Sequence, residues 1–569
     1  MRTDLLRNLF RVAIAIALGL GTAVSEVRAG GFAAPATTFT VNNTNDSGAG
    51  SLRQALLDAH TASGGTINFA IPASDPNCVA TGVCTIHLAS GLPYVDRPMT
   101  IDGYTQTGAS PNTDPTPMRS NAIIKVVIDG TGAVSGEGPG LLVMGSGSVI
   151  RGLAIDNIPG NVYGGILVEG DANVITGNFV GVDASGTLAR GNGANGIRIA
   201  ASGNRVGGPA PADRNVIGGN ATNGIALEGS SNIVQGNVIG AKKGGTGSLP
   251  NGQSGISVQG GSGNMIGGLA AGEGNLAAFA TATDVGGIDL FDTTGNTIEG
   301  NQVFFNAGVG ISLSGATGNT LDGNVVVGNG LFGSHTYGGI ALDYSNSIDS
   351  PSTVSYSSGN IVRNNFVGTD PAGDQQGNYG PGIFGRSSSN QILSNTIAYN
   401  THEGILLPAG YTETLMSENR IFGNVLLGID LSQGVFAGDG VTPNDTGDTD
   451  SGTNNRQNYP VLSAVGGSGS STVITGTLAE DPNTSYQVEF FASSSCSDSL
   501  RQGQNFLGAQ TVQTGADGVV SFTVTLPHAA PFGEFVTATG TDPISDTSEF
   551  SACQLLPAPF SLYLPLVRR

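Results

Sequence analysis

The chain has 569 residues, of which 91 are Gly and none Trp; 38% are hydrophobic and only 11% are charged. A chain so rich in glycine and so poor in charge reads as a turn-rich β protein, which excludes a disordered polyelectrolyte. With 22 basic against 43 acidic residues, a formal charge of -21 repels phosphate backbones and anionic membranes, so nucleic acid is excluded as a partner.

In chain order, residues 1–29 have the layout of an export signal. Arg2, Arg7 and Arg11 lead into VAIAIALGLGTAV, and Ala29 offers a cleavage point. No run reaches the roughly 20 apolar residues of a spanning helix, so no transmembrane segment is expected in the mature chain. Residues 38–64 read as an N-terminal cap. Their stretch SLRQALLDAH predicts an amphipathic helix with Ser51 as N-cap and Leu52, Ala55, Leu56 and Ala59 on one face. Export makes the four cysteines legible: Cys78 with Cys84, and Cys496 with Cys553, is the simplest of three possible disulfide pairings.

Residues 65–432 rewrite two short phrases. In the first, a glycine precedes two apolar residues two positions apart, as in Ile197 and Ile199 or Ile288 and Leu290, which is the period of a strand with one buried face. The second, Asn-x-Ile/Val-x-Gly-Asn, holds one inward residue such as Val234, Ile298 or Leu321 beside turn formers. The leading glycines recur at steps of about 22 to 32 residues, enough for three short strands and three turns. That predicts a parallel β-helix. Insertions at 181–193, 240–252 and 368–380 follow the same strand each time and should project from one side. The asparagines closing the second phrase (Asn178, Asn220, Asn237, Asn301, Asn324, Asn365, Asn395, Asn424) can stack as a ladder or act singly as turn residues.

The opening segment NNTNDSGAGSLRQALLDA resembles that of secreted β-helix proteins of the CSLREA-domain type, with SLRQA where that family has Ser-Leu-Arg-Glu-Ala. The repeats resemble right-handed parallel β-helix repeats also found in carbohydrate-binding and sugar-hydrolysing proteins. The resemblance implies an exported, often surface-attached protein and does not imply an enzyme.

Residues 433–458 read as an acidic linker. Asp439, Asp445, Asp448 and Asp450, with Asn454, supply hard oxygen donors among glycines, so they are candidate calcium ligands; a solvated linker is the alternative. Residues 459–556 alternate at period two in TVITGTL, YQVEFFAS, FLGAQTVQT, VVSFTVTLP and EFVTATGTD, predicting a small Ig-like β-sandwich. Residues 557–569 form an apolar tail ending in two arginines.

For chemistry, the position between the two apolar residues of the first phrase reads Leu167, Arg198, Ala226, Ser257, Asp289, Ser312, Ala341, Phe384, Leu406, Asp430. Asp289, with Asp292 or Asp343 as diagonal partner, is the only candidate catalytic pair found there, and the five histidines show no ligand spacing. The sequence therefore favours a secreted or cell-surface protein presenting a solenoid face for adhesion or binding of polysaccharide or cell-surface glycan. The alternative is a polysaccharide lyase or glycoside hydrolase.

Overall fold

A computed structural model describes residues 37–133, 138–160, 164–331, 338–342, 357–408, 410–434, 437–449, 451–468 and 470–557. The export signal at 1–29, the tail beyond residue 557, and Asp343 and Asp450 lie outside the described residues. The chain divides into two compact units, one of Met1–Phe332 with Tyr344–Ser355 and Asp370–Asp374, the other of Gly333–Asp343, Tyr356–Thr369 and Gln375–Arg569.

The first unit is a parallel β-helix with three sheets. One coil runs through Ile225–Leu227, Ile233–Gln235 and Val238–Ile239 before the next begins at Ile256–Gln259. Like stacks on like: Ile225 pairs with Ile256, Ile256 with Ile288, and Ile288 with Ile311. Each of these isoleucines is fully buried, so the core is an apolar column whose register follows from the repeat. A parallel strand-to-strand crossover is right-handed for the same steric reason that twists strands.

The amphipathic helix near the N-terminus forms where the sequence places it. Strand Thr38–Val41 pairs with Gly65–Phe69 at the head of the first sheet, and helix α1 (Leu52–Thr61) packs on both. Ser51 accepts from the Gln54 N–H, and Leu52, Ala55, Leu56 and Ala59 are buried.

Asparagines occupy the corners, but on more than one line. Asn215, Asn237, Asn275, Asn301 and Asn324 form one ladder, with amide-to-amide bonds of 2.9 to 3.0 Å. Asn220 stands on a second line with Asn192 and Asn251. The sequence grouping of Asn220 with Asn237 is thus corrected: the former closes the corner after the insertion, the latter the corner before the second-sheet strand. The insertions at 181–193 and 240–252 both leave the second sheet as small loops closed by the bridges Val182 to Ala189 and Ala241 to Ser248.

A second correction concerns the outward positions of the first phrase. Leu167, Ala226, Ser257 and Ser312 are all buried, as are Ala341, Phe384, Leu406 and Asp430 in the second unit. That face is not the open surface its alternation suggested.

The second unit contains further parallel coils ending at Leu415–Ser417, Arg420–Phe422 and Ile429–Leu431, followed by two antiparallel sheets. One holds Val461–Ser468, Ser471–Ala479 and Val519–Leu526; the other holds Asn505–Gln513, Ser485–Ser493, Phe535–Thr541 and Gln554–Leu555. Val465, Ile474, Leu478, Tyr486, Val488, Phe490, Val524 and Val536 pack together as their core. All five runs predicted from alternation are strands. Both disulfides join the expected partners, Cys78 to Cys84 and Cys496 to Cys553.

Candidate functional site

Three consecutive coils of the second sheet end in His87, Asp129 and Asp156. Strand Cys84–His87 pairs with Val126–Asp129 so that His87 lies beside Asp129, and Val126–Asp129 pairs with Leu153–Asp156 so that Asp129 lies beside Asp156. Register alone therefore stacks an imidazole and two carboxyls one strand spacing apart. His87 Nδ1 lies 3.0 Å from Asp129 Oδ2, with the imidazole half exposed. Asn157 Nδ2 donates to Oδ1 of both aspartates, at 3.2 and 3.3 Å. Asn157 holds a left-handed backbone, φ 54°, which asparagine tolerates better than most residues.

The two carboxyls are driven apart in acidity. Burial pushes Asp156 up to about 7, and the charge of Asp129 adds to the shift against the pull of Arg190. Burial acts on Asp129 too, but the Thr131 hydroxyl and N–H, the Asn157 amide and His87 outweigh it and hold Asp129 below the usual carboxylate value. Near neutral pH the site thus contains an ionised carboxylate against an exposed imidazole, with a carboxyl behind that is close to half protonated. The insertion at 181–193 borders it, since Arg190 C=O accepts from Asn157 N–H at 3.1 Å.

The candidates read from sequence fare differently. Asp289 is half-buried and accepts from Ser312 Oγ; burial raises its pKa to about 6, and the carboxylate next to it is Asp284. Asp292 is exposed on a left-handed turn, φ 50°. Asp292 is not among the groups that act on Asp289. Reading only the first phrase did not reach the His87–Asp129–Asp156 stack, because the early coils carry these residues on another strand. The signal was present as strand ends TIH, VID and AID.

Of the candidate calcium ligands, Asp439 accepts from Gln433 N–H, and Asp445 from the N–H and hydroxyl of Thr449. Asn454 is buried and spends its amide on Thr414 N–H and the carbonyls of Thr414 and Thr547. Asp448 lies against Glu480 of the sandwich, a residue the sequence reading did not select. These residues are therefore dispersed along the strap, and among the described residues no three His, Cys, Asp or Glu side chains form a metal-ligand group.

A shallow cavity of about 600 Å³ also lies in the first unit, lined by Arg53, Leu57, His60, Leu92, Tyr94 and Asp96 among others. Tyr94 is 57% exposed there, and His60 Nδ1 lies 2.9 Å from Asp96 Oδ1.

Residues 124–330 match the family described as "Periplasmic copper-binding protein (NosD)". The chain is a right-handed parallel β-helix repeat protein. No curated protein matches it. Among solved structures, the A-module of Azotobacter vinelandii mannuronan C-5 epimerase AlgE6 is similar at 13% identity, covering 68% of this chain and 96% of that one with a TM-score of 0.35. The enzymatically active domain of bacteriophage CBA120 tailspike protein 2 is similar at 10%, covering 92% and 77%, TM-score 0.35. A mannuronic acid specific polysaccharide family 6 lyase from human gut microbiota is similar at 9%, covering 70% and 86%, TM-score 0.31. Likeness at this level bears on no activity, which has to come from the chain's own residues.

Proposed function

We propose that the protein cleaves glycosidic bonds of an extracellular polysaccharide at the His87–Asp129–Asp156 stack. The observation that carries this reading is the split acidity of two carboxyls sharing one amide donor, with an exposed imidazole on the outer one. Groups of unlike acidity held side by side are what acid–base chemistry on one substrate requires. His87 exchanges the proton with the substrate, Asp129 orients the imidazole through the 3.0 Å contact, and buried Asp156, protonated below about pH 7, spares Asp129 part of a like charge. Two disulfides fit an oxidising extracellular or periplasmic setting. The opening segment's resemblance to CSLREA-type proteins supports export and surface association.

The test is product release from a panel of neutral and acidic polysaccharides, followed both by reducing ends and by the ultraviolet absorbance of unsaturated ends, which separates hydrolysis from elimination. His87→Ala and Asp129→Asn should each lower the rate by about 10²-fold or more. Asp289→Asn should keep it within about twofold. Failure of the parent to cleave any member, or unchanged rates in the first two variants, removes the proposal.

A binding reading without cleavage is favoured by a different observation, the cavity with exposed Tyr94 beside the His60–Asp96 pair. An aromatic face flanked by hydrogen-bonding groups suits a sugar ring. Retention on a polysaccharide that is not cleaved, lost in Tyr94→Ala, would be its signature.

A further inference from the structure

We propose that the second unit holds a calcium ion between the strap at 445–449 and the end of strand Ser471–Ala479, with Glu480 and Asp448 as its carboxylate ligands. Glu480 is fully buried, and neither of its carboxylate oxygens has a hydrogen bond of good geometry; the polar groups near enough to act on it are the Asp448 carboxyl and the Gln457 amide. Its backbone N–H donates to Gly518 C=O at 2.8 Å, which anchors the residue at the end of its strand. Asp448 carries the negative charge that acts most strongly on it, and the Gln457 amide also lies against it, its buried Nε2 making no hydrogen bond of good geometry. Asp445 is tied into the same place. Asn458 accepts from Asp445 N–H at 2.9 Å and donates to the carbonyls of Asp445 and Ala479, the residue before Glu480. The Oδ1 of Asp445 is buried without a donor as well.

A fully buried carboxylate with no donor is costly, and a second carboxylate against it raises the cost further. None of the ion pairs among the described residues reaches Glu480 or Asp445. The missing component is a positive charge that accepts oxygen donors. Calcium fits, because it takes carboxylate, carbonyl, amide and water oxygens in loose geometry, whereas the absence of imidazole and thiolate from the cluster disfavours zinc. No three acidic side chains converge as a ready-made set, so the ion has two carboxylates, with Gln457, strap carbonyls and water completing its shell and Asp445 joining through water. Relative to the sequence expectation, Asp445 and Asp448 remain, Asp439 and Asn454 drop out, and Glu480 enters from a strand about thirty residues on.

The full-length protein, dialysed first against chelator and then against calcium, should retain one calcium per chain by elemental analysis. Its melting temperature should rise by several degrees in 1 mM calcium and much less in 1 mM magnesium. Glu480→Gln should bind calcium at least tenfold more weakly by calorimetry and lose the shift. Without calcium it should melt no lower than the parent, since the neutral amide relieves the repulsion. Asp448→Asn gives an independent reading should Glu480→Gln fail to fold. Equal melting in calcium and chelator would overturn the proposal in favour of a proton shared by Asp448 and Glu480. Calcium retained equally by parent and both variants would overturn it by placing the ion elsewhere.

Discussion

Asn301 shows how one residue type holds a coil. Its Oδ1 accepts from both the backbone N–H and the amide of Asn275, while its own Nδ2 donates to Ile266 C=O at 2.8 Å and Asn324 Oδ1 at 3.0 Å. Every polar atom of a fully buried amide is thus used, and it serves two neighbouring coils. Asn301→Ala strands these partners in a dry corner and should cost about 3 kcal/mol. The exposed Ser262→Ala, in a neighbouring coil, should stay within about 0.5 kcal/mol. Denaturant midpoints of the two variants check this, and equal midpoints would mean the ladder is ornamental. Ser312 makes the complementary point. Alternation alone makes Ser312→Asp look harmless, but the residue is buried and donates to Asp289, so a new carboxylate there meets an existing one. It should lower the melting temperature by several degrees, and Ile288→Asp, which puts a charge in the apolar column, should do more.

The elements were legible in the sequence to different depths. Strands that repeat a phrase could be placed because period and register are both written in the order of residues, as Ile256 over Ile225 shows. The capping helix was legible because Ser51 and its apolar face are local signals. The His87–Asp129–Asp156 stack was not, since adjacency there depends on loop lengths between coils that have no repeat to count. The sequence reading of 433–458 as an acidic linker did not show what the segment docks on: Thr442 N–H, with Leu431 N–H of the last coil, donates to Glu549 at 3.0 Å, and Gly440 N–H donates to Asp430 at 3.2 Å.

That docking carries a pH dependence. Burial pushes Glu549 up to about 8, its hydrogen bonds opposing and Asp430 adding. Burial likewise pushes Asp430 up to about 7, with Glu403 and Asp439 adding to the shift. Both residues titrate near 4 when unfolded. Between about pH 4 and pH 8 the folded state therefore holds protons that the unfolded state has released. Stability contributed by these groups is complete below about pH 4, falls as pH rises, and is gone above about 8. The second unit should melt progressively lower from pH 4.5 to 8.5, and Glu549→Gln should flatten much of that slope. A melting temperature that rises across the range would show that these carboxyls are ionised in the fold.

At the scale of the whole molecule, a parallel β-helix must satisfy the open edges of its terminal coils or pair with another copy. The N-terminal edge is met by α1 and strand Thr38–Val41. In the second unit, the last coil finds its acceptors beyond the helix. Met416 N–H donates to Thr547 Oγ1, Glu418 N–H to Glu489, Ile421 N–H to Gly503 C=O and Leu431 N–H to Glu549. Gln502 ends an asparagine ladder, accepting from Asn424 N–H at 3.1 Å and donating to the carbonyls of Asn424 and Leu426. The sandwich thus supplies to all three sheets of the last coil, and to one corner, the groups a following coil would have supplied. Gln502→Ala removes one such contact and should cost about 1 to 3 kcal/mol without changing the oligomeric state. A chain ending at Asn458 removes nearly all of them. It should associate reversibly and in proportion to concentration, giving dimers and larger species by sedimentation where the full chain carrying Gln502→Ala stays with the parent. If the shortened chain sediments as the same monomer and melts like the parent, the edge of the last coil needs no partner, and the sandwich is an appended domain with a purpose of its own.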